Sequence, residues 1–147
     1  MKIQGKAQPT VIDPRTVQAY RETDYVVHAD APVTLKVAVA SPGLSAIYKD
    51  RRLDSCAFIT ACNPESRQLP DVDNATRQAD LVWELRQLSL PYIEGVGQHP
   101  FNQWPPEPSF LVLGLSLEAA KALGVRHQQN AIVWCGADAT PTLILLR

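Results

Sequence analysis

The stretch Phe58-Ile59-Thr60-Ala61-Cys62-Asn63-Pro64-Glu65-Ser66 decides the fold class. An apolar, partly β-branched run stops at Asn63-Pro64, and a long amphipathic pattern begins a few residues later. This is the pattern of a buried strand that delivers polar side chains to a strand-to-helix loop, where α/β proteins usually place their sites. Taken from Ser55 to Cys62, the strand is apolar on both faces except at Thr60, so both faces are expected to be covered. Asp71 or Asp73 then starts the longest helix, which runs to about Leu88 with Ala75, Ala79, Val82, Leu85 and Leu88 as its apolar stripe.

Working outward, Asp13-Pro14 reads as N-cap and first position of a short helix through Tyr20, and Ser41-Pro42 repeats the signal for a second helix. Tyr25–Val27 and Val33–Val39 predict a hairpin. Pro91–Val96 and Ser109–Leu115 predict two more strands around a proline-rich loop that contains Trp104. Ser116 caps a further helix, with Gly124 as the residue beyond its end. Ala131–Trp134 and Thr142–Leu146 close the chain as a hairpin around Gly136-Ala137-Asp138. The order is α-β-β-α-β-α-β-β-α-β-β. It predicts a single α/β (or α+β) domain over residues 13–147, preceded by a loose arm over residues 1–12. The sheet is expected to be mixed, with about six to seven strands and three to four packed helices.

The chain has 147 residues, 14 basic and 15 acidic, for a net charge of −1. That balance argues against a broad nucleic-acid surface, which needs a phosphate-neutralising face. No apolar run is long enough to span a bilayer and the N-terminus has no signal-peptide core, so a cytoplasmic protein away from membranes is expected. Three cysteines and three isolated histidines give no zinc spacing, and no metal site is expected. Cys56 and Cys62 end one extended run about 20 Å apart and cannot bridge.

Three groups of residues could carry chemistry. Thr60, Asn63, Ser66 and Asn74 gather at the strand end and the start of the long helix, suited to hold a carbonyl, phosphate or carboxylate. The same residue types also cap loops and form turns. Arg77 is the nearest cation. Its spacing to Asp73, Asp80 and Glu84 predicts surface ion pairs, with a reach toward an anionic ligand as the alternative. Glu94, Gly95 and Gly97 precede the proline-rich loop and Glu107 follows it. Glu94 and Glu107 are expected to be solvated, or else to form a carboxylate pair for acid–base or metal work. Gln129 and Asn130, before the penultimate strand, offer amide edges to a polar ligand or to the loop backbone. No nucleophile elbow and no phosphate loop occurs, and Cys62 has no histidine that the sequence places beside it.

The pattern Tyr20-x-x-Thr23-x-Tyr25, Phe58-Ile59-Thr60-Ala61-x-Asn63-Pro64-x-Ser66, Asn74, Glu94-Gly95-x-Gly97, Glu107-x-Ser109 and Gln129-Asn130-Ala131-Ile132-Val133 resembles a small bacterial family, domain of unknown function 3293. The resemblance runs from about Tyr20 to the end of the chain. Cys62 stands where the family pattern has Trp, and Gln128 where it has Phe-Gly before Gln-Asn. The resemblance implies a domain boundary and no activity, cofactor or substrate.

The expected function is that of a small binding or regulatory domain, with a small polar or anionic ligand at the strand-to-helix loop. The alternatives are a metal-assisted hydrolase built on Glu94 and Glu107, and a protein-interaction module that uses Trp104, Phe101 and the terminal hairpin. An oligomer is compatible with any of these.

Overall fold

The computed structural model describes residues 9–147; residues 1–8, most of the expected arm, lie outside the described part. In the rest of that arm Ile12 is buried, and the Thr10 hydroxyl donates to the Arg147 carbonyl. The elements follow the expected order: α1 (Pro14–Glu22), β1 (Asp24–Val27), β2 (Val33–Leu35), α2 (Pro42–Arg51), β3 (Cys56–Ile59), α3 (Asp71–Gln87), β4 (Tyr92–Gln98), β5 (Glu107–Leu113), α4 (Leu117–Arg126), β6 (Ala131–Cys135) and β7 (Pro141–Leu145). The caps are those the sequence signals. The side chains of Asp13, Ser41 and Ser116 accept from Arg15, Leu44 and Ala119 backbone N–H groups at 2.8, 3.1 and 3.1 Å.

The seven strands form one sheet of order β2-β1-β4-β5-β3-β6-β7. Every ladder is antiparallel, which corrects the expected mixed sheet. The crossovers do join strands that run the same way, but those strands are not neighbours. β3 and β4, linked by α3, both pair with β5, which lies between them. β5 and β6, linked by α4, both pair with β3. Each crossover leaves a gap that the strand of the other crossover fills, the split βαβ arrangement.

β3 alternates between two cores, with all four residues buried. Ala57 and Ile59 join Phe110, Val112 and Ile132 under Leu81 and Leu85 of α3 and Ala120 and Leu123 of α4. Cys56 and Phe58 join Leu111, Leu113 and Val133 on the opposite face, under Leu44 and Tyr48 of α2. Each such leucine contributes about 1.5–3 kcal/mol through removal of its surface from water. The three cysteines are free and buried, and Cys56 lies directly opposite Cys135 across the β3–β6 ladder.

Gly124 does not end α4. The helix continues to Arg126, and Gly124 is buried because a Cβ there would lie 2.6 Å from Leu146 and 2.8 Å from Ile132. α1 buries none of its own side chains. It lies over the α2 side of the sheet, tied down by bonds such as that from the Tyr25 hydroxyl to the Tyr20 carbonyl at 2.6 Å. The space between α1 and the sheet is where the site forms. No helix among the described residues is long and apolar enough to cross a membrane.

Candidate functional site

β3 stops at Ile59 because Thr60 turns its hydroxyl onto the backbone. Oγ1 donates to the Pro108 carbonyl at 2.7 Å and accepts from the Cys62 N–H at 3.0 Å. The chain then enters a tight 3₁₀ turn, Pro64–Ser66. Asn63, Glu65 and Ser66 all have left-handed backbones, with φ of 48°, 54° and 58°. Non-glycine residues in that region cost about 1–3 kcal/mol each and persist only where their surroundings over-determine them.

Here the surroundings are a web on Asn63 and Asn74. Asn63 N–H donates to Asn74 Oδ1 at 2.9 Å, and Asn63 Oδ1 accepts from Leu69 N–H and Asn74 Nδ2, both at 2.9 Å. The remaining amide nitrogen of Asn63 donates to Glu107 Oε2 at 2.7 Å. Asn63 and Ser66 therefore stand in fixed positions at one end of the sheet.

Below them is a cavity of about 510 Å³ between α1 and the sheet. Its floor is Tyr25, Phe58 and Val133, with Gly97 opening space between β1 and β5. Thr60, Asn63, Ser66, Glu107, Gln129 and Asn130 contribute its polar edge. The two amides of β6's approach are both engaged. Gln129 Nε2 donates to the Cys62 carbonyl at 3.2 Å, and Asn130 Nδ2 donates to the Tyr20 hydroxyl at 3.0 Å and to Ser66 Oγ at 3.2 Å. The Tyr20 hydroxyl and Ser66 Oγ also bond to each other, so α1 is fastened to the turn at the cavity's edge.

Glu107 is the carboxyl of this edge. Burial raises its pKa above the ordinary carboxylate range, against the opposing pull of hydrogen bonds from Asn63 and Trp104. Both donors converge on Oε2, Trp104 Nε1 at 3.2 Å. The Glu107 charge is felt by Tyr25 and Cys62, whose own pKa values are raised chiefly by burial. His99 at the far rim is held in one tautomer: Nδ1 accepts from the N–H groups of Phe101 and Asn102 at 3.0 and 2.9 Å, leaving Nε2–H for Glu22 at 2.9 Å.

Four candidates lie off the cavity. Asn74 supports the turn from behind. Arg77 forms neither the expected surface ion pairs nor an anion site. Its guanidinium clamps two strand and helix ends, donating to the Ala61 carbonyl and to the His127 carbonyl at 2.6 Å each, with Gln128 at 3.2 Å. The guanidinium goes to two main-chain carbonyls within direct reach rather than to the acidic side chains spaced along α3; the His127 carbonyl also accepts from Gln129 Nε2 at 3.2 Å. Glu94 lies across from Phe110 in the β4–β5 ladder while Glu107 lies across from Gly97, three positions further on. Odd separation along a pleated strand puts the two carboxyls on opposite faces, so they do not converge. Gly95 shares the cavity face but serves packing: a Cβ there would lie 2.4 Å from the Val26 carbonyl oxygen.

Residue-type reasoning at the strand end missed the α1 wall, chiefly Tyr20 and Thr23, and the aromatic floor at Tyr25. The signal was the Tyr20-x-x-Thr23-x-Tyr25 spacing, which puts a helix end and a strand start around one turn. Trp104, which the sequence offered for an interaction surface, is 38% exposed and donates from Nε1 to Glu107 at the cavity's edge.

The model of one family, described as a protein of unknown function (DUF3293), matches residues 59–132. That span runs from the end of β3 through both crossovers to the start of β6, half of the chain, and carries Thr60, Asn63, Ser66, Glu107, Gln129 and Asn130. No curated protein and no solved structure matches the chain.

Proposed function

The chain belongs to the family whose model it matches, and we propose that it binds a small polar molecule in the cavity between α1 and the sheet. The observation that carries this reading is the convergence of hydroxyl, amide and carboxyl groups from five separate segments on one cavity with an aromatic floor. Its volume falls within the range of about 300–1,000 Å³ usual for small-molecule sites. Strain concentrated in the Asn63–Ser66 turn supports a preorganised edge rather than a turn of convenience.

The chemistry favours recognition over bond-breaking. Cys62 Sγ lies 3.8 Å from the Pro108 carbonyl, and burial holds its thiol in the unreactive, protonated form. Ser66 is bonded to a phenol and an amide, neither of which is a base at neutral pH. The same reading places the protein in the cytoplasm, supported by three free buried thiols, the usage of a reducing compartment.

The test is a fragment screen by heteronuclear NMR on the wild type and on Gly97→Val. A Cβ at Gly97 meets nothing closer than 3.9 Å, so the strand admits a methyl there, and the two further methyls of valine extend from it into the cavity. Binders that shift Tyr25, Ser66 and Asn130 resonances and are lost in the variant support the proposal. Binders that ignore Gly97→Val, or none at all, sink it.

A further inference from the structure

We infer that the cavity selects an organic cation, a protonated amine on a compact apolar body, and that Glu107 receives the ammonium group. This rests on the ligand-binding reading above and adds the ligand's charge and the group that recognises it.

The argument starts from which atoms of the edge are still free. Glu107 is the first residue of β5 and faces Gly97 across the ladder, so no side chain stands between its carboxyl and the cavity. Its Oε2 takes both protein donors, Asn63 and Trp104, and its Oε1 takes none among the described residues. No buried side-chain polar atom among the described residues lacks a partner, so Oε1 is not sealed in protein; it opens on the cavity that Glu107 lines. A carboxylate oxygen only accepts, and two orienting donors hold this one in place. It calls for a donor on the ligand.

The second observation is where the cations are. Arg15, on the α1 wall, is committed to Asp13 at 3.2 Å. Arg147 is committed to Asn130 Oδ1 at 3.1 Å and to Glu65 at 3.6 Å. Arg77 is spent on carbonyls. His99 lines the rim but holds its Nε2–H on Glu22. With Asp13 already paired to Arg15, Glu107 is the one lining carboxyl without a cationic partner, and among the described residues no lining cation is free to balance an anion. An anionic ligand would meet an uncompensated like charge in a partly desolvated space, whereas an ammonium neutralises it.

The third is the floor. Tyr25 and Phe58 pack edge to face, centroids 5.2 Å apart, and present aromatic surface to the cavity. Aromatic rings suit an apolar body and add attraction for a cation over their faces. An amine with a short hydrophobic body matches all three observations at once; a dicarboxylate matches none, and a sugar phosphate offers donors but brings a negative charge that no free cation at the cavity balances.

The experiment uses three probes of one shape and different charge: 2-phenylethylamine, 2-phenylethanol and phenylacetate. Dissociation constants are measured by NMR titration at pH 7.5 on wild type, Glu107→Gln and Gly97→Val. In wild type the amine is expected to bind at least tenfold more tightly than the alcohol, with phenylacetate weakest. Glu107→Gln keeps an oxygen for the Asn63 and Trp104 donors and is expected to bring amine and alcohol within twofold. Gly97→Val is expected to abolish all three; Ala131→Phe, which fills the cavity from β6, repeats that block if the first variant does not fold. Equal affinities for amine and alcohol, tighter binding of phenylacetate, or an amine preference that survives Glu107→Gln would overturn the charge inference and leave the ligand-binding reading standing. No binding by any probe to the wild type would overturn both.

Discussion

Asn63 and Glu107, 44 residues apart in sequence, are joined side chain to side chain, amide nitrogen to carboxylate oxygen, at 2.7 Å. One amide serves two purposes. Its oxygen holds the strained turn through Leu69 and Asn74, and its nitrogen holds the carboxyl at the cavity.

Replacement of Asn63 by alanine removes three side-chain hydrogen bonds and leaves a left-handed backbone without the residue type that tolerates it. A loss of about 2–4 kcal/mol is expected, read from urea unfolding. A loss below half of the lower figure would mean that the turn is held by its packing alone.

Glu107→Gln carries a pH signature. Burial puts the folded pKa of Glu107 above its unfolded value, so the protonated form is the one folding favours. The contribution is fully present below the ordinary carboxylate range and is lost as pH rises through the folded pKa. The variant does not ionise, so its stability relative to wild type should increase between pH 4 and pH 7. Unfolding free energies measured across that range check the sign; a difference that moves the other way would place Glu107 in a site that favours its charge.

Two glycines two residues apart should behave oppositely. Gly95→Ala would press a methyl to 2.4 Å from the Val26 carbonyl oxygen, a backbone atom held in the β1–β4 ladder. Overpacking of this kind costs about 1–3 kcal/mol or more. Gly97→Ala meets only van der Waals neighbours at 3.9 Å and beyond and should stay within about 1 kcal/mol of wild type. Paired melting curves settle it: equal losses at the two positions would contradict the register.

Arg77→Met should destabilise by about 2–4 kcal/mol, because two carbonyls lose charge-assisted donors at once. Arg77→Lys should recover less than half, since a single ammonium cannot span both carbonyls as the planar fork does. Full recovery by lysine would mean that charge near these strand ends, not geometry, is what matters. Neither change should alter ligand charge preference, since Arg77 does not line the cavity.

The order of elements and their caps were legible because proline, serine and aspartate act locally. Ser41-Pro42 and Asp13-Pro14 each announce a helix without knowledge of anything distant. The sheet's directions were not legible. Local sequence shows that a helix joins β3 to β4 but not that β5 will come between them, because that depends on pairings across dozens of residues. The same limit governed the site. Thr60, Asn63 and Ser66 could be found because one short stretch carries them. Glu107 was named from its place after the proline-rich loop, but grouped there with Glu94 rather than with Asn63; Tyr20 reaches the same cavity from a distant segment, and Arg77 was misread because its partners are carbonyls, which every residue has and no sequence pattern marks.

The interleaved sheet has a consequence for how the molecule is made. β3 finds both of its neighbours downstream, at residues 107–113 and 131–135. A chain that emerges from a ribosome therefore holds β3, which is buried at every position in the fold, without its full pairing until nearly all of the domain has been synthesised. Such non-local closure is slow and leaves an exposed edge in the meantime. The cavity lies at the end of that strand, so it is completed among the last events of folding, and a ligand present at that moment could act on yield as well as on the finished protein.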